Sequence, residues 1–157
     1  MPNYRAHLVG GAVSFALVYK LANYCIPNQL HTLSIISGLG LALLGSIFPD
    51  IDIPSRMQTI FYRSIILLLL ATLVFKLWKV FLGASALSCL IVLIKHRTIT
   101  HRAWFLLLFP LVPFFLILNK TSFSVHLAIF FYASFVIGAL SHILLDFGIK
   151  RLFSGRS

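Results

Sequence analysis

The chain has 157 residues, of which 60% are hydrophobic and only 10% are charged. A soluble domain carries about 25% charged residues, so the composition excludes an ordinary soluble protein. It predicts an all-α bundle of membrane helices, which forms one integral membrane domain over residues 1–157. The formal net charge of +10 does not indicate nucleic-acid binding, because the basic residues are scattered at segment ends rather than gathered in one stripe, and we expect membrane lipid as the partner instead.

Six apolar segments follow one another along the chain. The first two cover about residues 6–26 and 33–48, the third and fourth share the stretch 60–94, and the last two cover about 103–118 and 123–147. A single helix over 60–94 would be roughly 50 Å long, against a bilayer core of about 30 Å. We therefore expect a hairpin at Lys76–Lys79, where two lysines and a tryptophan suit a membrane interface. In the fifth segment, Pro110 and Pro113 predict a kink or an interruption.

Six spans would place both chain termini on one side of the membrane. Nine basic residues then lie on that side and four on the other: Arg5, Arg56, Arg63, Lys95, Arg97, Arg102, Lys150, Arg151 and Arg156 against Lys20, Lys76, Lys79 and Lys120. Cytoplasmic loops carry the excess of basic residues in membrane proteins. Both termini are therefore predicted to be cytoplasmic.

Only three residues of the chain are acidic, and none of them is a glutamate. Carboxylates near a bilayer are costly and usually functional. The six-span topology brings all three, with four histidines, to the cytoplasmic ends of the spans: His7, Asp50, Asp52, His96, His101, His142 and Asp146.

The acidic residues suit a metal site, although other roles are open to each of them. His142 and Asp146 lie four apart on one helix face, so both can bind one ion, or Asp146 can orient the imidazole with or without a metal. Asp50 and Asp52 can present two carboxylates to a divalent cation, or can be solvated residues of a helix-ending turn.

The remaining basic motif is expected in a cytoplasmic loop. His96 and His101 are five apart, which does not place them on one face of a regular helix, and imidazole is a common metal ligand. Arg97 and Arg102 can hold a phosphate by bidentate hydrogen bonds or can anchor the chain to lipid headgroups. Two other histidines, His31 and His126, fall near the outer side and are expected to be structural or interfacial.

A catalytic zinc ion needs three protein ligands and one open position. The seven candidates exceed that number, so one or two ions are expected, and two-metal sites suit phosphoryl transfer. The mixture of imidazole and carboxylate favours zinc or manganese.

The order of four motifs resembles the YdjM-like family of bacterial inner-membrane proteins, which are described as metal-dependent hydrolases. The motifs are His7-x3-Gly11, Pro49-Asp50-x-Asp52, His96-Arg97-x2-Thr100-His101 and Gly138-x2-Ser141-His142-x3-Asp146. Two positions depart from the family pattern, since Ala6 replaces a threonine and Arg102 a small residue. The pattern is also distantly similar to zinc-dependent phospholipases C and related nucleases, which implies a phosphoester substrate.

The sequence thus predicts a multi-pass protein of the bacterial inner membrane that hydrolyses a phosphoester, free or lipid-linked, at the cytoplasmic face. The metal ligands would be His7, Asp50, Asp52, His101, His142 and Asp146. His96 would be a further ligand or a general acid/base, and Arg97 or Arg102 would stabilise the developing charge. The alternatives are a metal- or proton-binding membrane protein or transporter without catalysis, and an accessory protein in which the cluster is structural.

Overall fold

The protein is described by a computed structural model over residues 3–26, 30–51, 55–93, 102–120 and 124–148. These residues are helical apart from short connections, and none of them forms a β-strand. The predicted all-α class is therefore confirmed.

Seven α-helices and one 3₁₀ turn make up the described chain. They are α1 (Tyr4–Cys25), α2 (Thr32–Ile47), the 3₁₀ turn Phe48–Asp50, α3 (Arg56–Val74), α4 (Trp78–Leu93), α5 (Ala103–Leu108), α6 (Leu111–Lys120) and α7 (Val125–Phe147). Three helical stretches are long and apolar enough to cross a membrane: Tyr4–Cys25, Thr32–Asp50 and Val125–Asp146. The count of six spans and the cytoplasmic placement of both termini remain predictions.

Residues 60–93 of this stretch lie in two helices, as its length predicted, although Trp78 and Lys79, expected in the hairpin, begin α4. The turn between α3 and α4 spans residues 75–77, where Lys76 adopts a φ of 54° and the Leu77 amide donates to the Thr72 carbonyl at 2.8 Å. In the fifth segment, Pro110 separates α5 from α6. Pro113 does not interrupt the chain, because it lies in the first turn of α6, where the missing N–H would have no helical partner.

The centre of the molecule is a three-helix core in which α1, α2 and α7 pack on one another. Glycines bring two of these backbones into contact. A methyl group at Gly45 would collide with the Phe135 carbonyl, and one at Gly138 would collide with the Ala42 carbonyl. Small residues at such contacts are how membrane helices gain van der Waals packing without a hydrophobic driving force.

An aromatic cluster surrounds the end of α2. The Phe48 ring lies 5.2–6.4 Å, centroid to centroid, from the rings of Phe61, Phe105, Phe109 and Phe135. These four residues belong to α3, α5, the connection after α5, and α7. Since Phe48 begins the turn that ends at Asp50, the cluster fixes where that carboxylate emerges.

We expect Gly138→Ala to lower the free energy of unfolding by about 1–3 kcal/mol, because the new methyl group must push α2 and α7 apart. Gly83→Ala in α4 is the matched control, since a methyl group there meets open space. The control should raise stability by about 0.5–1 kcal/mol, as a helical glycine replaced by alanine does. Unfolding in mixed detergent micelles measures both variants, and equal effects would contradict the close packing of α2 on α7.

Candidate metal site

The side chain of His142 is the centre of a buried polar cluster at one end of the three-helix core. The side chain is fully buried, and its Nδ1 atom donates to the Ser46 carbonyl at 2.7 Å. Because a carbonyl oxygen only accepts, Nδ1 carries a proton, and the neutral ring then has its lone pair on Nε2. This hydrogen bond fixes both the orientation of the imidazole and its tautomer.

Two carboxylates face the Nε2 atom of His142. Asp146, one helical turn further along α7, places Oδ2 at 3.2 Å, and Asp50 places Oδ1 at 3.6 Å. The Asp146 side chain is 8% exposed and that of Asp50 is 22% exposed. Asp50 therefore lies on the more open side of the cluster.

His7 of α1 completes the group beside His142 and contacts the other carboxylate oxygen of Asp146. Its Nε2 atom lies 3.4 Å from Asp146 Oδ1, and its ring stacks on that of His142 with centroids 4.0 Å apart and an angle of 21°. Gly11, one turn further along α1, allows this approach, since a methyl group there would lie 2.8 Å from the Ser46 Cβ. Gly11 therefore permits the close approach of α1 to α2 at this point.

The electrostatics of the cluster favour a cation. Both α2 and α7 end here, and the carboxyl end of a helix carries a partial negative charge. Asp146 Oδ1 is buried and makes no hydrogen bond within the described part of the chain. A buried carboxylate is costly unless positive charge compensates it, and either an imidazolium or a metal ion at this position would do so.

The donor atoms have the spacing of metal ligands. One ligand atom each from His7, His142 and Asp146 lie within 4.8 Å of one another. Two ligands each about 2.1 Å from a tetrahedral ion lie roughly 3.4 Å apart, which is close to the 3.2–3.6 Å separations of the histidine and carboxylate atoms. The spacing is therefore compatible with a divalent cation, and zinc or manganese remains the predicted ion.

The other predicted site residues are placed as follows. Arg102 is exposed at the N-cap of α5. Asp52, His96, Arg97 and His101 lie outside the described residues, and their roles remain predictions. His31 and His126 are both exposed, and the sixteen helical steps from His126 to His142 on α7 correspond to roughly 24 Å. Neither of these two histidines reaches the cluster.

The sequence patterns do not reveal two features of this end of the molecule. One is Ser46, which acts through its backbone carbonyl and so has no side-chain signature. Its position in the last turn of α2, where helix carbonyls lose their partners, is the one indication available. The other is a group beside the cluster, in which the guanidinium carbons of Arg5 and Arg56 each lie 5.9 Å from the centroid of the Tyr4 ring.

We expect the purified protein to bind zinc or manganese, and His142→Gln to weaken that binding by at least about tenfold, the lower end of what the loss of an ordered metal-site residue costs. His126→Gln is the matched control, because it removes the same group from the same helix at an exposed position. Isothermal titration of both variants with each metal measures the effect. Unchanged affinity in His142→Gln would contradict a metal at this cluster.

Residues 1–151 match the profile of a family described as YdjM inner membrane protein. No curated protein and no solved structure gives a match. The family match covers nearly the whole chain and agrees with the resemblance that the order of the motifs indicated. The chain therefore belongs to the YdjM inner membrane protein family.

Proposed function

We propose that the protein is a metal-dependent hydrolase that cleaves a phosphoester at the cytoplasmic face of the bacterial inner membrane, which it crosses several times. One observation carries this proposal. Two buried imidazoles and two carboxylates meet from α1, the 3₁₀ turn and α7, with Nε2 of His142 facing both carboxylates. Burying such a cluster of ionisable side chains is costly, and membrane proteins keep buried ionisable residues mainly at functional sites.

His7, His142 and Asp146 would hold the first ion and leave its fourth position open, with Asp50 beside it on the more exposed side. A bound divalent cation polarises a phosphoryl oxygen and acidifies water. Hydrolysis forms a bond from the water oxygen to phosphorus and breaks the ester P–O bond, and the alcohol leaves with a proton. Asp50 Oδ1, as the more exposed of the two carboxylates, is the group in this cluster best placed to accept the proton of the attacking water.

The positive charges of the proposed site lie on neighbouring elements. Arg102 directly precedes α5. This helix packs on the turn that ends at Asp50, since the ring centroids of Phe105 and Phe48 are 6.4 Å apart. The Arg102 guanidinium would bind the phosphoryl oxygens by paired hydrogen bonds. A second ion would use Asp52 and His101, with His96 as general acid/base and Arg97 as a further phosphate contact.

Transport without catalysis is the main alternative, and the packing of the core counts against it. A path for ions needs polar side chains along the depth of the bundle. On the far side of the cluster, the core of the three helices includes the buried Phe15, Ala42 and Phe130, and its buried polar side chains among the described residues are the hydroxyls of Ser34 and Ser134. The polar side chains of the site are thus grouped at one end.

We expect protein purified without added metal to retain a divalent ion in elemental analysis, and to hydrolyse a soluble phosphodiester in a reaction that a chelator stops. Asp146→Asn should lower kcat/KM by about 100-fold or more, because it removes a charged ligand from the buried group. His31→Gln, exposed and distant from the cluster, should leave kcat/KM unchanged.

Stability measured on the same Asp146→Asn protein separates catalysis from a structural role. If the cluster only holds helix ends together, the variant loses thermal stability and has no turnover to lose. Metal-free protein whose activity ignores the chelator would contradict the proposal outright.

A further inference from the structure

A groove of about 340 Å³ runs between α1, α2 and α3. Its walls include Leu8 of α1, Gly40, Leu43 and Ile47 of α2, and Ile60 and Ser64 of α3. The Ser64 hydroxyl already donates to the Ile60 carbonyl at 2.9 Å, so the groove offers hydrocarbon surface almost throughout. Its volume lies within the roughly 300–1,000 Å³ of ligand pockets.

The groove adjoins the candidate metal site. Leu8 directly follows His7, and Ile47 directly follows Ser46, whose carbonyl holds the His142 ring. On each helix, one residue therefore faces the polar cluster while its neighbour forms the groove wall. The end of the groove at Leu8 and Ile47 therefore lies at the same level along α1 and α2 as the polar cluster.

Two arginines flank the same end of the groove. Tyr4 lies one helical turn before Leu8, and Arg56 lies one turn before Ile60, so they extend the two groove walls past the apolar part. The Arg5 and Arg56 guanidinium carbons each lie 5.9 Å from the Tyr4 ring centroid, and Arg5 Nε donates to the Tyr4 hydroxyl at 3.3 Å. Both arginines are exposed, so the groove passes from hydrocarbon surface to a pair of cations.

We propose that this groove binds one hydrocarbon chain of an anionic membrane lipid, with the lipid phosphate held by Arg5 and Arg56 beside the metal site. Two of the helices that wall the groove, α1 and α2, are apolar and long enough to cross a bilayer, so acyl chains would be available to it. Guanidinium groups bind phosphate oxygens by charge-assisted hydrogen bonds. Resting on the proposed function, this inference makes the substrate a lipid phosphoester rather than a soluble one.

Gly40 provides a means of closing the groove without disturbing the fold. A methyl group at this position meets open space, in contrast to Gly45 five residues later. Leucine at Gly40 would project into the groove, and leucine favours a helix more than glycine does. Gly83→Leu is the matched control, because Gly83 is also helical and open but belongs to α4.

Photo-cross-linking tests the binding directly. The protein is placed in phosphatidylcholine vesicles that contain phosphatidic acid with a diazirine on its acyl chain, and labelled residues are mapped by mass spectrometry. We expect labels on Leu43 and Ile60. Labelling there should fall by about tenfold in Gly40→Leu and in Arg56→Gln, equivalent to about 1.4 kcal/mol of binding. Gly83→Leu and Lys20→Gln, which removes an exposed charge near the other end of α1, should label as the wild type does.

Two results would overturn the inference. One is labelling spread evenly over lipid-facing residues such as Leu67 and Val74, in the wild type as well as in Gly40→Leu. The other is equal labelling by a diazirine diacylglycerol, which has the hydrocarbon chains but no phosphate. The labelling pattern of the wild type alone shows whether the groove is labelled preferentially. The inference can therefore be tested even if a variant fails to fold.

A hydrolysis assay separates this inference from the proposed function. Gly40→Leu should lower kcat/KM for phosphatidic acid by about tenfold and leave that for a soluble phosphodiester unchanged. Groove labelling without hydrolysis of either substrate would support the lipid site and contradict the hydrolase. Hydrolysis of the soluble diester with evenly spread labelling would support the hydrolase and contradict the lipid site.

Discussion

The contact between the backbones of α2 and α7 is the constraint on which the rest of the structure depends. Gly45 and Gly138 carry no side chain that would separate the two helices. The resulting proximity places the Ser46 carbonyl 2.7 Å from His142 Nδ1. Between membrane helices, packing and interhelical hydrogen bonds replace the hydrophobic effect as the source of association. The interaction that holds the bundle together is therefore also the one that orients the central imidazole of the site.

The fold and the membership of the polar cluster follow largely from the sequence, for physical reasons. Lipid requires each spanning segment to satisfy its own backbone, so long apolar runs form helices, and bilayer thickness divides the run 60–94 in two. The predicted parity of six spans places His7, Asp50, His142 and Asp146 at one end, and the structure has these four residues together.

Other features depend on the rotation of each helix about its axis and on the register between packed helices. Neither can be predicted from a single sequence. Gly40 and Gly45 are both glycines of α2, yet one faces an open groove and the other touches the α7 backbone. The stacking of His7 on His142 likewise requires the rotation of α1 about its own axis. The role of the Ser46 carbonyl cannot be predicted from residue type, because every residue has a backbone carbonyl. This one is available to His142 because α2 ends immediately afterwards.

The polar cluster lies in surroundings that are otherwise apolar. Two buried imidazoles and a nearly buried carboxylate sit against a core of phenylalanine, isoleucine and leucine. Desolvation of such groups is unfavourable unless the charges compensate one another or a cation joins them. Removal of one member leaves the others buried without that compensation, so stability and chemistry are coupled at this site and have to be measured together.

The pairing of Arg5 and Arg56 around Tyr4 has a consequence for the bilayer itself. The chain has only three acidic residues against thirteen basic ones, so in a membrane we expect it to attract anionic headgroups with little repulsion. Each basic residue near a membrane surface contributes roughly 1 kcal/mol to such attraction. We therefore expect the ring of lipids around the protein to be richer in anionic species than the membrane as a whole. Occupancy of any lipid site would then follow this local enrichment rather than the average composition.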